Sequence, residues 1–475
     1  MAIDRVGHGG TQATRTGRAL ADLPYDVWPL ILAHIAHPAY RLPRDLLAVS
    51  STCRMLRDAA EPVLFGKVTF HGPLGSPRNW ADYLEFIYDR FKTTPSLLQH
   101  VTECRIFGWH APNSDMSGLR KSTTNATEEL LAIALDFMQS MPNLTVLRLR
   151  SLIVPHSAFR QIRTLPNLRT LWMLFCDLSE VDNKAYVEGG TFRALQTVAL
   201  HDVWWQPDHF TVNEVLAAPR LRVINMDHSA DFSSPLGSCS DPSTATNLYI
   251  SAPHPLAEDT WERFFLLFPR LQLLYVDWHD DPDTLDPSPH ILSNLNTLRC
   301  PFTMASGNLI RGRPLHSVWF THRRERSPEV HVAEALAQSL GKTSAVVRRL
   351  TFTGMTYSDY ASILPHFRPR LGQLQKLDLS FSDDSIAKTS FTWLTHEFRT
   401  LFPRLEHLTI GNEPLYGPDG TALVPDATHD QPLVELWGTS CPHLRIVALP
   451  GRTYDYSGHS WRRTEVPHES LVFRG

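Results

Sequence analysis

The chain has 475 residues, 43% apolar and 20% charged, which describes a globular protein with ample core. A formal net charge of −4 gives no bulk attraction to nucleic acid or to an acidic membrane, and no run approaches the ~18 apolar residues of a membrane span. The six cysteines (53, 104, 176, 239, 300 and 441) stand far apart without a C-x-x-C pair. They read as reduced, buried hydrophobes of a cytoplasmic or nuclear protein, not as a disulfide framework or a zinc site.

Residues 1–19 are rich in Gly and Thr, with Arg5, Arg15 and Arg18 and no apolar core, and read as a disordered arm in place of a signal peptide. From Leu23 to Phe65 the pattern becomes helical. Leu23-Pro24 and Asp26 suit a first turn, where proline loses no hydrogen bond and an acid faces the positive end of the dipole. Val27, Leu30, Ile31 and Ile35 then share one face. Pro38 and Pro43 punctuate the connection, and Asp45 can cap a second helix with Leu46, Val49, Cys53, Leu56 and Ala60 on its apolar side, stopped at Pro62. Such short helices cannot cover all this apolar surface alone, so a neighbour is expected to pack part of it.

The order Leu23-Pro24-Tyr25-Asp26, an apolar helix, Asp45-Leu46-Leu47 and Ser51-Thr52-Cys53-Arg54 resembles an F-box, with domain limits 20–66. At Leu56 the chain has a leucine where many members of that family carry an aromatic. The resemblance implies a non-catalytic receptor subunit of a cullin-based, SCF-type ubiquitin ligase, docked on the small linker subunit and through it on a cullin. By the same resemblance and the helical spacing, the linker-binding residues are Leu23, Pro24, Val27, Leu30, Ile31, Ile35, Leu46, Leu47 and Cys53.

Residues 67–100 read as a linker and capping helix, with a short β-like run at Lys67–Phe70 and helical spacing at Trp80, Leu84, Ile87 and Phe91. A repeat follows over 101–450. Pro142-Asn143-Leu144-x-x-Leu147-x-Leu149 recurs as Pro166-Asn167-Leu168-x-x-Leu171-x-Met173, and again from Pro219, Pro269, Pro403 and Pro442. Copies without the proline begin at Val101, Leu195, Ala245, Leu295, Leu315, Val347 and Leu374. Between 144 and 295 the starts fall every 24 to 27 residues, the period and signature of a leucine-rich repeat. Later steps vary from 20 to 39, so insertions are expected there.

Helical segments such as 125–141, Trp261–Phe268 and Ser390–Phe402 end at a proline, and Val332–Leu340 ends at Gly341. Each unit is thus helix, turn and short strand, and the fold class is α/β: a helical box followed by an irregular leucine-rich-repeat solenoid, parallel strands concave and helices convex. Only Cys176 matches the Asn or Cys ladder usual after the strand; the equivalents are Leu152, Val203, Ser229, Pro253 and His279. This irregularity resembles the repeats that accompany F-boxes in fungal-type receptors. Residues 451–475 read as a tail.

No catalytic constellation emerges. Gly341-Lys342-Thr343 lacks the earlier glycine of a phosphate loop and follows a helix where a strand is needed. His396-Glu397 and His468-Glu469 lack the second histidine of a zinc protease. The acidic run Asp277, Asp280, Asp281, Asp283 and Asp286 reads as a solvated loop in preference to a calcium site. His322-Arg323-Arg324-x-Arg326, with Arg311 and Arg313 upstream, reads as a wet turn in preference to a nuclear signal or a phosphate clamp. No cofactor, metal, nucleic-acid or membrane partner is expected. What remains is binding. The residue between the last two leucines of each strand points away from the core. That column holds Arg148, Trp172, Ala199, Asn225, Tyr249, Tyr275, Arg299, Trp319, Thr351, Asp378 and Thr409. Arg148, Trp172, Tyr249, Tyr275, Arg299 and Trp319 are the expected contacts to a target protein, because aromatics and arginine dominate interface energetics. The alternative function is a protein-interaction scaffold acting outside a ubiquitin ligase; an enzyme hidden in the insertions after 410 is a remote third.

Overall fold

The computed structural model describes residues 28, 31–32, 43–71, 89, 92–108, 131–178, 192–203, 215, 218–227, 243–252, 258–278, 287–322, 329–381, 402–412, 430–449, 452–457 and 460–464. The described helices are α1 (Pro43–Ser50), α2 (Arg54–Phe65), α3 (His156–Thr164), α4 (Glu258–Leu266), α5 (Met304–Ile310), α6 (Val330–Leu340), α7 (Tyr357–Leu371) and α8 (Asp430–Ser440), with a further helical run over 131–139. The strands are β1 (Lys67–His71), β2 (Glu103–Phe107), β3 (Val146–Arg150), β4 (Thr170–Leu174), β5 (Thr197–His201), β6 (Val223–Asp227), β7 (Asn247–Ala252) and β8 (Leu273–Trp278). They continue as β9 (Thr297–Pro301), β10 (Ser317–Thr321), β11 (Arg349–Met355), β12 (Lys376–Phe381), β13 (His407–Asn412), β14 (Ile446–Leu449), β15 (Arg452–Ser457) and β16 (Ser460–Thr464).

All sixteen strands form one sheet in sequence order. Neighbours pair in parallel from β1 to β14. The chain is therefore an α/β solenoid of leucine-rich-repeat type, in which each turn contacts its neighbours. The period of the signature and the period of the sheet coincide. Leu147, Leu149, Leu171, Met173, Leu274, Val276, Leu408 and Ile410 all point inward and are buried with the turn leucines Leu144, Leu168, Leu271 and Leu405. Helices close the other side of this core: Trp261, Phe264, Phe265 and Phe268 pack from α4 and its end, with ring centroids 5.0–6.0 Å apart.

The backbone ties successive turns where side chains do not. The carbonyl just before each strand accepts two N–H groups from the next turn. Thr145 accepts from Arg169 at 2.8 Å and from Thr170 at 2.9 Å, and the same pair recurs through Arg445 and Ile446 on Glu406 at 2.8 and 3.1 Å. After the strand, where only Cys176 matches the Asn or Cys ladder, Ser151 donates to Leu174, Phe175 to His201, and Asp202 to the Asp227 carboxylate at 2.8 Å. Ser151, Phe175 and Asp202 adopt φ of 55°, 54° and 49°, a left-handed step that aims these N–H groups at the next turn.

Both ends of the sheet depart from the expected limits. β1 lies within 67–100 yet pairs with β2, so the sheet begins at Lys67. At the other end, where a tail was expected from 451, β14, β15 and β16 are antiparallel, and β15 and β16 cover the edge of β14.

The N-terminal helices also differ in detail. The single helix expected after Asp45 is two, α1 and α2. Ser50, Ser51 and Thr52 hydroxyls donate to the carbonyls of Leu47, Ala48 and Val49 at 2.7–2.8 Å, which ends α1 by competing for its last acceptors. Cys53 becomes the N-cap residue of α2. Pro62 lies inside α2 and does not end it; the helix runs three residues further, to Phe65. It stops at Gly66, where a Cβ would meet the Pro62 carbonyl oxygen at 2.6 Å. The Gly66 carbonyl then accepts from the Thr102 and Glu103 backbone at 2.9 and 3.0 Å, coupling the helical unit to the first turn of the solenoid.

Candidate functional site

The side chains of the outer column are set side by side by the strand register. Arg105, Arg148, Trp172, Ala199, Asn225, Tyr249, Tyr275, Arg299 and Trp319 are successive Cα partners from β2 to β10. Inward neighbours on either side of each are buried in the core, so alternation turns this column outward. Arg148, Trp172, Tyr249, Tyr275, Arg299 and Trp319 are all half-buried. Ala199, Thr351 and Asp378, from the same column, are buried.

Three clusters form along it. In the first, Glu103 lies 2.8 Å from both Arg105 and Arg148 and 3.7 Å from Lys67. Burial pushes its carboxyl up, but the Arg105 hydrogen bond and the charges of Arg105, Arg148 and Lys67 together outweigh that and hold it below the usual range. The Arg148 guanidinium also stacks on Trp172 at 4.6 Å, and Trp172 faces His201, which lies 3.4 Å from Asp227. In the second cluster, Tyr249 packs against Tyr275 with centroids 6.0 Å apart, and Arg299 lies between Tyr275 and Trp319. Trp319 donates its indole N–H to the Thr353 hydroxyl at 3.3 Å. In the third, the buried Asp378 carboxylate accepts from Arg349 at 3.0 Å and Thr351 at 3.1 Å, with Lys376 at 3.7 Å.

The second candidate face is on the helical unit. Trp28, Leu32, Leu46, Ala59 and Ala60 make a small core of their own, with Ile31, Val49, Met55, Leu56, Val63 and Leu64 only partly covered. Leu47 is 53% exposed and Cys53 is exposed. Of the residues expected to dock a linker subunit, Ile31, Leu47 and Cys53 thus reach the surface. Leu46 lies beneath it, 3% exposed. Leu23, Pro24, Val27, Leu30 and Ile35 lie outside the described residues. No family model and no curated protein matches this chain.

Residues weighed for other chemistry take structural positions. Arg313 is fully buried, not part of a wet turn: its guanidinium donates to the carbonyls of Asn308, Arg311, Pro287 and Ser288. Gly341 caps the end of α6, and the Thr343 hydroxyl sits 2.8 Å from the Leu340 carbonyl, so the tripeptide closes a helix. Buried Cys176, Cys300 and Cys441 form no disulfide, and desolvation pushes their thiols up to about 12; Cys104 is pushed higher still. Cys239, both His-Glu pairs, Arg323, Arg324, Arg326 and the acidic residues 280, 281, 283 and 286 lie outside the described residues. Among the described residues, no three His, Cys, Asp or Glu side chains are grouped to hold a metal, and no helix is long and apolar enough to cross a membrane.

Sequence reasoning missed Glu103, the acid that organises the first cluster. It sits one column away from the arginines and on a strand whose repeat copy has no proline. Its signal was available in hindsight: β2 is the one outer strand to begin with an acid.

Proposed function

We propose that the chain is the target-receptor subunit of a cullin-based ubiquitin ligase, an F-box protein with irregular leucine-rich repeats of the fungal type. In this reading the helical unit docks on the ligase's linker subunit and the outer column of the sheet holds the target protein. The protein itself breaks no bond; it raises the effective concentration of target lysines near the charged conjugating enzyme. The observation that carries the reading is the unfinished core of the helical unit. Among its described residues five are buried, while Leu47 stands half in water and Ile31, Val49, Met55 and Leu56 are only partly covered. An apolar face of this kind, on the segment that carries the F-box order of residues, matches a permanent partner surface.

The test is co-purification from cells. Linker and cullin together are expected with the wild-type chain, and Leu23→Ala with Pro24→Ala is expected to abolish both. Linker without cullin would make the protein a scaffold outside the ligase, and undiminished linker binding by the double variant would remove the box assignment.

A further inference from the structure

Arg148 and Arg299 occupy the same column, but their surroundings differ. Arg148 has a ring on one side and the Glu103 carboxylate at 2.8 Å. Arg299 has rings on both sides: its guanidinium carbon lies 4.4 Å from the Tyr275 centroid and 3.9 Å from that of Trp319. Both rings sit on the Cα partners of Arg299 in β8 and β10, so the register itself builds the sandwich. Stacking covers the faces of the guanidinium and leaves its in-plane N–H edge as the only polar contact it can make. Among the described residues that edge meets no acceptor, and Nε is buried without a hydrogen-bond partner. The one described carboxylate on β8–β10, Asp277, stands in the next column, where it accepts the Tyr275 hydroxyl at 3.4 Å.

We propose that Arg299 is the anchor for a single oxyanion, a phosphate or a carboxylate, on the protein segment that binds this face. The proposal rests on the reading of the outer column as a partner surface and adds the chemistry it selects. A guanidinium clamped between two rings is pre-organised, so little rotamer freedom is lost when an oxyanion accepts its two parallel N–H bonds. The rings also displace water from the cation, which strengthens its pairing with an incoming anion. The remaining outward positions on β8–β10 are Leu273, Asp277, Thr297, Pro301, Ser317 and Thr321, with no second cation among them. Among these described positions Arg299 is the lone cation, with the Asp277 carboxylate one column away on β8, which fits one anionic side chain and not the repeating charge of a nucleic acid or a membrane.

The experiment uses the full chain and three degenerate peptide pools that differ only in a central phosphoserine, glutamate or alanine. The wild-type chain is expected to retain at least one anionic pool about tenfold better than the alanine pool, the size of a charge-assisted pair. Phosphoserine against glutamate separates the two sources of the oxyanion. Arg299→Gln is expected to erase the preference. Arg299→Lys should erase most of it, because an ammonium cannot offer the planar fork. Equal retention of the three pools by the wild-type chain overturns the proposal, and so does a preference that survives Arg299→Gln. Should the variants melt early, the wild-type comparison decides alone. Co-purification of linker and cullin does not involve Arg299: loss of those partners with the pool preference intact removes the ligase role and keeps the anchor, and the converse result removes the anchor only.

Discussion

The helical N-terminal unit and the solenoid bury apolar surface to different degrees. In the solenoid each turn is covered by the turn before and the turn after, and even the last strand is covered by a hairpin. Phe320, Phe352, Phe367 and Tyr360 are fully buried there, with ring centroids 5.5–6.3 Å apart. Among the described residues of the helical unit five are buried, and Ile31, Val49, Met55, Leu56, Val63 and Leu64 lie at the rim. Stacking gives a repeat two neighbours on principle; among the described residues the helical pair meets the stack on one side, through Gly66. The difference teaches where stability is self-sufficient and where, on the proposed reading, a second chain would complete it.

Core truncation separates the two regions most sharply. Phe352→Ala should cost about 3–5 kcal/mol in denaturant unfolding, since its ring packs on Phe320 of β10 and on Tyr360 and Phe367 of α7. Leu47→Ala should stay within about 0.5 kcal/mol, as an exposed position does. Equal losses would mean that the helical unit has a finished core and no face to offer. Binding is the sharper test of the same contrast. Leu47→Asp is expected to weaken the linker by about 2 kcal/mol or more, in the hot-spot range, with the melting temperature unchanged. A variant that binds normally would move the docking face elsewhere on the unit.

The outer column supplies the next effect in size. Trp172→Ala or Tyr275→Ala should weaken target capture by about 2 kcal/mol while linker binding persists, because the rings are half-buried on the face away from the core. A large fall in melting temperature on the same variants would show that these rings support the sheet from outside and are not held ready for a partner.

How far all this was legible follows from how each feature is encoded. Strands could be placed because Leu144, Leu147 and Leu149, and their copies, carry both the period and the inward face; the outer column followed by alternation alone. The turn prolines marked helix ends well at Pro142 and Pro269, and the same rule hid α7. That helix holds Pro365 and Pro369 in its second half, and its start depends on a capping box in which Thr356 and Asp359 satisfy each other's backbone N–H. Tyr360, whose hydroxyl donates toward the Ser380 carbonyl at 2.8 Å, anchors α7 to the next turn and has no local signature. Pairing across the sheet was the least readable level. Asp378 with Arg349, and Glu103 with Arg148, are 29 and 45 residues apart, so sequence distance says nothing of contact until the register is known.

Glu103 yields the smallest effect and the most specific one. Its carboxyl is 10% exposed and is held charged by three cations. A carboxyl lowered on folding stabilises the folded state above its unfolded pKa of about 4.3, and that contribution is lost as pH falls through the lower folded value. Lys67 is 66% and Arg148 38% exposed, so solvent screens the pairs and the net worth is about 1 kcal/mol or less. Glu103→Gln should therefore lower stability slightly at pH 7, and the gap to the wild-type chain should stay flat down to about pH 5 and close below pH 4. Added salt should narrow the gap at neutral pH. A gap that stays constant to the lowest pH at which the chain folds would assign the loss to the geometry of the Arg105 hydrogen bond and not to charge.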